Sequence, residues 1–566
     1  MKTYTKMMLS AVAAISLSLT SCNDVFDELS VNPNQQDVSS FYNTPENINK
    51  GVLGIYSYVT TPRAMGVSAS RIMVNRGDES SDRTDYGVPG QYCASLTSSW
   101  YTIVEPFSLF YTAASQACQM IEVIPNVQFT SDEQKNAYLG EAYFLRAFSH
   151  WFLFLNFRNV PMMDTFPKSA KEYRPQADPE DMWNFIIDDL KHAKDLLPPK
   201  GYWTGNDLGR VTSASAAAML GKAYLYRSGI EKYYGNSSTT YYNEAAECFD
   251  EIIRGEHGNF ILVDDYNDNF RVATENNDES ILEFQFVGDA VNTGFNPGLS
   301  DSGVWRDPRG LQPPSFVSQN SHVIHQWVYD TFVNSKDADG YTDSRMFGTL
   351  IFDDTAPEIH AKPGDEVIVF DGKRFRDYYQ STDASGNTVY GLAAVGGGAE
   401  NYKSACRKGL DWTLPTVNPG NDMWVGNLRA NGLNYPYIRY ADVLLMYAEA
   451  VVSGGQQGML TPVQAVNQVR ARASVNMPPV SSVDMDVIEH ERILELTQEG
   501  HRFYDLLRWG KLADRFHELE ASDPYFKQYN ISEYLGFQEN KNEWLPIPVD
   551  EVEGNPYITE NNPGWN

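Results

Sequence analysis

Cysteine is scarce: five residues in 566, with no C-x-x-C pair, which rules out a disulfide scaffold. Cys93, Cys118, Cys248 and Cys406 read as scattered small hydrophobic residues, with a Cys93 to Cys118 bridge left open. Basic residues are in deficit, 44 Lys and Arg against 74 Asp and Glu. The formal charge of -30 repels polyanions and argues against nucleic acid or an anionic membrane surface as ligand. After the first twenty or so positions no run reaches the roughly 18 apolar residues of a membrane-spanning helix. Gly396, Gly397 and Gly398 lack a following G-K-[ST], and no G-x-S-x-G elbow occurs. His322 and His325 are spaced H-x-x-H without the Glu or the i,i+4 step of a zinc helix, and read as surface or capping histidines. Acidic stretches at 265–269 and 337–340 lack the glycine and glutamate positions of a calcium loop; they read as solvated turns, with calcium left open.

What the chain does contain is apolar and aromatic: 42% hydrophobic, 13% aromatic. That composition is incompatible with disorder, and the length exceeds one core of about 150 residues. Lys2 and Lys6 precede an apolar run at 7–19, the layout of a secretory signal. The run ends Leu19-Thr20-Ser21-Cys22, which resembles a bacterial lipobox and implies removal of residues 1–21 and diacylation of Cys22; an ordinary buried cysteine is the alternative. Asp24, Asp27 and Glu28 resemble the acidic export tags of Bacteroidetes-type surface lipoproteins.

Helical periodicity comes in pairs. Residues 133–157 and 179–197 form the first, closed by Pro161 and by Pro198-Pro199; residues 213–229 and 241–254 form the second. The third is 439–453 with 461–474, where Thr461-Pro462 reads as N-cap and first helical residue. A fourth unit starts at 485 and breaks near Gly500, and a further helix at 101–123 is expected to be interrupted at Pro106. Between 255 and 435 Gly, Pro, Asn and Asp rise, with strand-like runs at 281–286 and 366–370. The expected fold is mainly α: tetratricopeptide-like helix pairs over about 101–254 and 436–520, with a large irregular insert of loops and small sheets over about 255–435 presenting a surface. Residues 22–566 are read as one body.

The segment 435–450 (YPYIRYADVLLMYAEA), the segment 491–510 (ERILELTQEGHRFYDLLRWG), Trp544-Leu-Pro-Ile-Pro548 and Asn562-Pro-Gly-Trp565 together resemble the SusD/RagB family of outer-membrane nutrient-uptake lipoproteins. Leu145-Arg146-Ala147, Val160-Pro161 and the 223–226 segment (AYLY) match its earlier helices. The resemblance implies four tetratricopeptide-like units, a lipid-anchored position on the outer cell surface, a SusC-like TonB-dependent transporter as partner, and non-catalytic capture of oligosaccharides. A peptide or another nutrient, or a surface glycosidase with an unrecognised acid pair, are the alternative readings. No cofactor and no metal are implied. Glu495, Glu499 and His501 could be drawn as an acid-base group; alternation of Glu, Arg and Asp from 491 to 508 reads instead as an ion-pair network between helix layers.

Sugars present apolar ring faces and polar rims, so their sites need flat aromatic platforms edged by Asn, Asp or Arg. Two loops carry that chemistry, 76–100 and 298–316. Trp305 with Arg306 in the Gly/Pro-rich second loop is the leading platform, an inward loop anchor being the alternative. Tyr86 and Tyr92 with Arg83 form the matching set in the first loop; Trp100 is carried as a further candidate although its place just before a helix reads rather as core, and the same caution applies to Trp412 and Trp424. Replacing Cys22 with Ala is expected to abolish incorporation of labelled palmitate in a lipoprotein-processing host, read by autoradiography.

Overall fold

The computed structural model describes residues 41–83, 87–169, 171–286, 322–370, 373–378, 380–390, 401–409, 411, 432–530 and 533–565. The signal and Cys22, Tyr86, the 298–316 loop with Trp305 and Arg306, the glycines at 396–398, Trp412 and Trp424 all lie outside them. Helices dominate, and several start at a side-chain cap. Thr44 caps α1 (Pro45–Val59) through the amide of Asn47, with Pro45 at the first position. A short α2 (Ser68–Asn75) follows, then α3 (Tyr101–Val123). Contrary to the expected interruption, α3 runs through Pro106. Near the helix start the missing N–H forfeits a single bond, and burial of Ile103, Phe107 and Phe110 on one face offsets it.

Ser131 caps α4 (Asp132–Phe157) and Asp178 caps α5 (Pro179–Leu196). A Thr212/Ser215 capping box opens α6 (Ser213–Tyr234), and α7 (Tyr242–Ile253) completes the second pair. Each helix from α3 to α7 packs on the next, α6 through fully buried alanines at 214, 216, 217, 218 and 223 that allow close approach. Within the region expected as loops and small sheets stand α8 (Gln326–Asn334), a helical turn at Arg345–Thr349, and several short strands. The helical array then resumes: α9 (Tyr440–Val452) packs on α7, and α10 (Pro462–Arg470), opened by the expected Thr461 cap, packs on α9. Next come α11 (Met485–Leu496), α12 (Arg502–Trp509) and α13 (Leu512–Ser522). The break between α11 and α12 falls where the sequence placed it. Gly500 has φ +81°, and a Cβ there would lie 2.6 Å from the Tyr435 hydroxyl.

The strands are β1 (Ser80–Ser81), β2 (Ser280–Phe284), β3 (Val323–Ile324), β4 (Leu350–Phe352), β5 (Ile368–Phe370), β6 (Lys373–Arg374), β7 (Gln380–Thr382), β8 (Thr388–Tyr390), β9 (Ser404–Cys406) and β10 (Tyr435–Arg439). They form a four-stranded sheet ordered β1-β3-β9-β4 and three two-stranded ribbons, β10-β2, β5-β6 and β7-β8. The four cysteines among the described residues are buried and free.

Insert and helices are joined by buried charge. Arg345 meets Asp343 at 2.7 Å, Glu491 at 2.6 Å and Glu495 at 3.0 Å. Glu495 also takes Arg439 at 3.0 Å and Arg472 at 2.8 Å; both arginines reach Glu279, at 2.5 and 2.6 Å. Glu499 closes the set with Arg439 and Lys408, each at 2.8 Å. Burial pushes the Glu495 carboxyl upward, but Arg472, Arg439 and Arg345 outweigh it and hold it far below the carboxylate range. A neighbouring cluster links Arg492 to Asp442 and Asp505, and Arg508 to Asp505 and Glu449, with Lys222 of α6 approaching Asp442. The 491–508 block is therefore the interlayer ion-pair network its alternating charges indicate. Removing one member strands the others: Glu495→Ala is expected to destabilise by about 3–5 kcal/mol in chemical denaturation, whereas Glu256→Ala, which loses an exposed pair to Arg254, should cost under about 1 kcal/mol.

Candidate functional site

Of the two loops singled out by their aromatic and arginine content, the first is held against the strand that comes after the second. β1, inside the first loop, pairs antiparallel with β3, which directly follows the second, with Ser80 opposite Ile324 and Ser81 opposite Val323. The pairing is reinforced by side chains on both sides. The Asp78 carbonyl accepts from His325 Nδ1 and from Trp327 Nε1, both at 2.8 Å; the Glu79 carbonyl accepts the His325 amide at 2.9 Å; Ser81 Oγ lies 2.7 Å from His325 Nε2. His322 Nε2 bonds Gln498 Oε1 at 2.8 Å, and the Gln498 side chain donates to Glu79 and Ser80. Both histidines are fully buried, which corrects the expectation of surface residues: they pin one loop stem to the other, and only His325 stands at a helix start, that of α8.

The first loop is laced to itself by close backbone approach. A Cβ at Gly87 would sit 2.1 Å from the Asp82 carbonyl oxygen, and one at Gly90 would sit 1.8 Å from that of Asn75, so neither position accepts a side chain as built. Gln91 donates to the Asp82 carbonyl and the Tyr92 hydroxyl donates to that of Arg76 at 2.9 Å. Beyond this lacing the chain bridges to the C-terminal region, Cys93 opposite Tyr534.

Three candidate residues fall within the described set. Arg83 is exposed, its guanidinium 5.4 Å from the centroid of the Tyr529 ring. Tyr92 is a correction: only 3% exposed, its ring stands edge-on to Phe516 and Phe537 at 4.8 and 5.2 Å, so no face is left for a ligand. The lacing at Gly87 and Gly90 turns it inward. Trp100 is half-buried at the residue preceding α3, against the core on one side and 5.9 Å from the exposed Tyr101 ring. Trp327 was not singled out, yet it is half-buried at the stem junction with guanidiniums of Arg515 and Arg502 at 5.0 and 5.4 Å from its ring. Its signal was present in His325-Gln326-Trp327, a ring two residues beyond a histidine.

Asp78 anchors this junction from below. Burial raises its carboxyl, but ion pairs to Arg502 at 2.7 Å and Arg515 at 3.1 Å prevail and hold it below the usual carboxylate range. Glu79 beside it has no such cation in contact among the described residues, and burial pushes its carboxyl up to about 7. The two acidic turns engage their carboxylates internally: Asp265 accepts the Asn267 amide and pairs with Arg271, and Asp337 Oδ1 accepts the amides of Asp339 and Tyr341.

The sequence profile of the SusD family matches residues 265–565, and a second, described as starch-binding associating with outer membrane, matches residues 27–225. The chain belongs to the SusD family. A SusD-like protein of Bacteroides ovatus is 25% identical over 525 residues, covering 90% of this chain and 83% of that one. SusD-like protein P2 of Formosa agariphila is 25% identical over 550 residues, covering 93% and 94%. Among solved structures, a SusD superfamily protein from Bacteroides vulgatus superposes with a TM-score of 0.67 at 23% identity, over 93% of this chain and all of that one. Surface glycan-binding protein A from Bacteroides thetaiotaomicron, solved with laminarihexaose, superposes with a TM-score of 0.65 at 18% identity, over 92% and 99%. These likenesses establish the SusD fold, mainly α with tetratricopeptide-like helix pairs.

Glu79 generates a pH prediction. Its folded-state pKa of about 7 lies above the 4.5 of an unperturbed glutamate, so the stability it contributes is complete below pH 4.5 and is lost as pH rises through 7. Glu79→Gln is expected to flatten this part of the pH-stability curve and to gain up to about 3 kcal/mol at pH 8, read from urea midpoints across pH 4.5–8.

Proposed function

We propose that this SusD-family protein is a cell-surface lipoprotein that captures oligosaccharides and passes them to a SusC-like TonB-dependent transporter without altering them. The observation that carries the reading is the β1-β3 pairing: within a SusD fold, it seats the first aromatic loop, with Arg83, beside the strand that follows the Trp305 loop. Stem contacts that are this extensively hydrogen-bonded fix where the loops emerge while leaving their tips to match a ligand. Trp305, Arg306, Tyr86 and Arg83 are the proposed contacts, with Trp100 and Trp327 as flanking rings. Cys22 is the proposed membrane attachment, and the transporter the proposed recipient. Relatives whose names state a glycan, among them a laminarin-binding SusD-like protein, support the ligand class.

Capture without chemistry is supported by the fate of the obvious acids. Glu495 and Glu499 are spent on Arg345, Arg439, Arg472 and Lys408 inside the protein, and burial, with Lys222 alongside, drives the His501 imidazole down to about 3. A general acid must reach its substrate, and these groups do not reach solvent.

The test is calorimetric titration of soluble α-glucan, β-glucan, xylan and galactan oligosaccharides into protein lacking the lipid. Binding of at least one class is expected, weakened about tenfold or more (about 1.4 kcal/mol) by Trp305→Ala or Arg83→Ala, with no new reducing ends on long incubation. Absence of binding to every class, or wild-type affinity in both variants, would overturn the reading; release of reducing ends would replace it with a hydrolase.

A further inference from the structure

A second surface carries the chemistry of a sugar site, remote in sequence from the stems described above. The connection between α4 and α5 closes on itself through a bridge of Pro161 to Gln176 and a bond from the Ala177 amide to the Val160 carbonyl at 3.1 Å. It is tied back to α4, where Arg146 donates to the Asp164 carbonyl at 2.7 Å and His150 accepts the Met163 amide at 2.9 Å. Arg174 organises its outer rim. Its guanidinium donates to Asp164 at 3.1 Å, to the carbonyl and hydroxyl of Thr165 at 2.9 and 2.8 Å, and to Glu172 at 3.3 Å. Burial of Asp164 works against these bonds, which nevertheless hold its carboxyl below the ordinary range.

Between this rim and the start of α5 lies an open cleft of about 480 Å³, lined by Met162, Tyr173, Pro175, Asp178 and Asp181 among others. Tyr173 is 40% exposed. The C-terminal segment lies alongside: Asn555 donates to the Arg174 carbonyl at 2.8 Å, Gln176 donates to the Glu560 carbonyl at 3.2 Å, and Tyr557 between them is 57% exposed. Rings left this open forgo the burial that ordinarily recommends tyrosine for a loop. An aromatic face bordered by fixed carboxylate acceptors suits the apolar ring face and the hydroxyl donors of a sugar. Four carboxylates, those of Asp164, Glu172, Asp178 and Asp181, against one guanidinium disfavour uronic or sulfated sugars.

We propose that this cleft is a second contact for neutral glycan, with Tyr173 as the stacking ring in the cleft, Tyr557 as a second ring on the segment bonded to its rim, and the Arg174-ordered carboxylates as hydroxyl acceptors. The ligand class rests on the capture function proposed above. Two contacts on one rigid protein raise the affinity for a polysaccharide that spans them without changing that for a short oligosaccharide at the loop site. Affinity electrophoresis through neutral polysaccharide tests this, with calorimetry of a short oligosaccharide in parallel. Tyr173→Ala with Tyr557→Ala is expected to lower polysaccharide affinity several-fold while leaving oligosaccharide affinity and thermal midpoint at wild-type values. Unchanged polysaccharide retardation in that variant, alongside lost binding in Arg83→Ala with Trp305→Ala, overturns the second contact and leaves the capture function standing. If wild-type protein is retarded by no neutral glycan, the capture function itself fails. Retardation by a lysine-rich peptide competing at the cleft in place of sugar likewise overturns the proposal.

Discussion

Buried charge holds this protein together. Glu279, Asp343, Arg345 and Lys408 come from the insert, while Arg439, Arg472, Glu491, Glu495 and Glu499 come from the helical region that follows it. Each ion would carry a desolvation penalty of several kcal/mol alone, so the arrangement is tolerable only when all partners arrive together. Such a network adds little net stability over an apolar core of equal volume, but it punishes any misplacement of insert against helices. The family resemblance in the sequence runs through these residues for that reason: 491–508 records a fit between layers.

The same logic extends to the proposed binding face. Asp78 sits under it, bonding His325 and Trp327 through its carbonyl and Arg502 and Arg515 through its carboxylate. One residue thus registers the first loop against the start of α8, and both against α12 and α13. Precision at this junction comes from buried polar bonds among Asp78, Glu79, His325 and Gln498.

Much of the scaffold was legible because its signals are local. The cap at Thr461, prolines at helix starts and the glycine break at 500 are decided by neighbours in the chain, and those elements stand where the sequence placed them. Two-residue strands such as β1, a pair of serines, carry no periodicity to read. β10 contains Pro436 and faces buried surroundings throughout, so it lacks the alternation that marks a half-buried strand. Among the candidate residues, Arg83 stands exposed in a turn-rich loop. The burial of Tyr92 was not legible, because its inward turn depends on Gly87 and Gly90 meeting backbone carbonyls several residues upstream. Trp327 was not legible for a related reason: its position beside Arg502 and Arg515 is made by contacts with residues far along the chain.

The seating of α9 directly on α7 means that the helical spiral passes beneath the insert without a gap. The two points where the insert leaves and rejoins are held side by side by helix packing, not by the insert itself. Enlarging a loop whose ends are already neighbours costs only about 0.6 kcal/mol per doubling of its length. Provided the charged anchor points stay in place, the spans between them can lengthen, shorten or change composition at little cost while the helix packing retains its form.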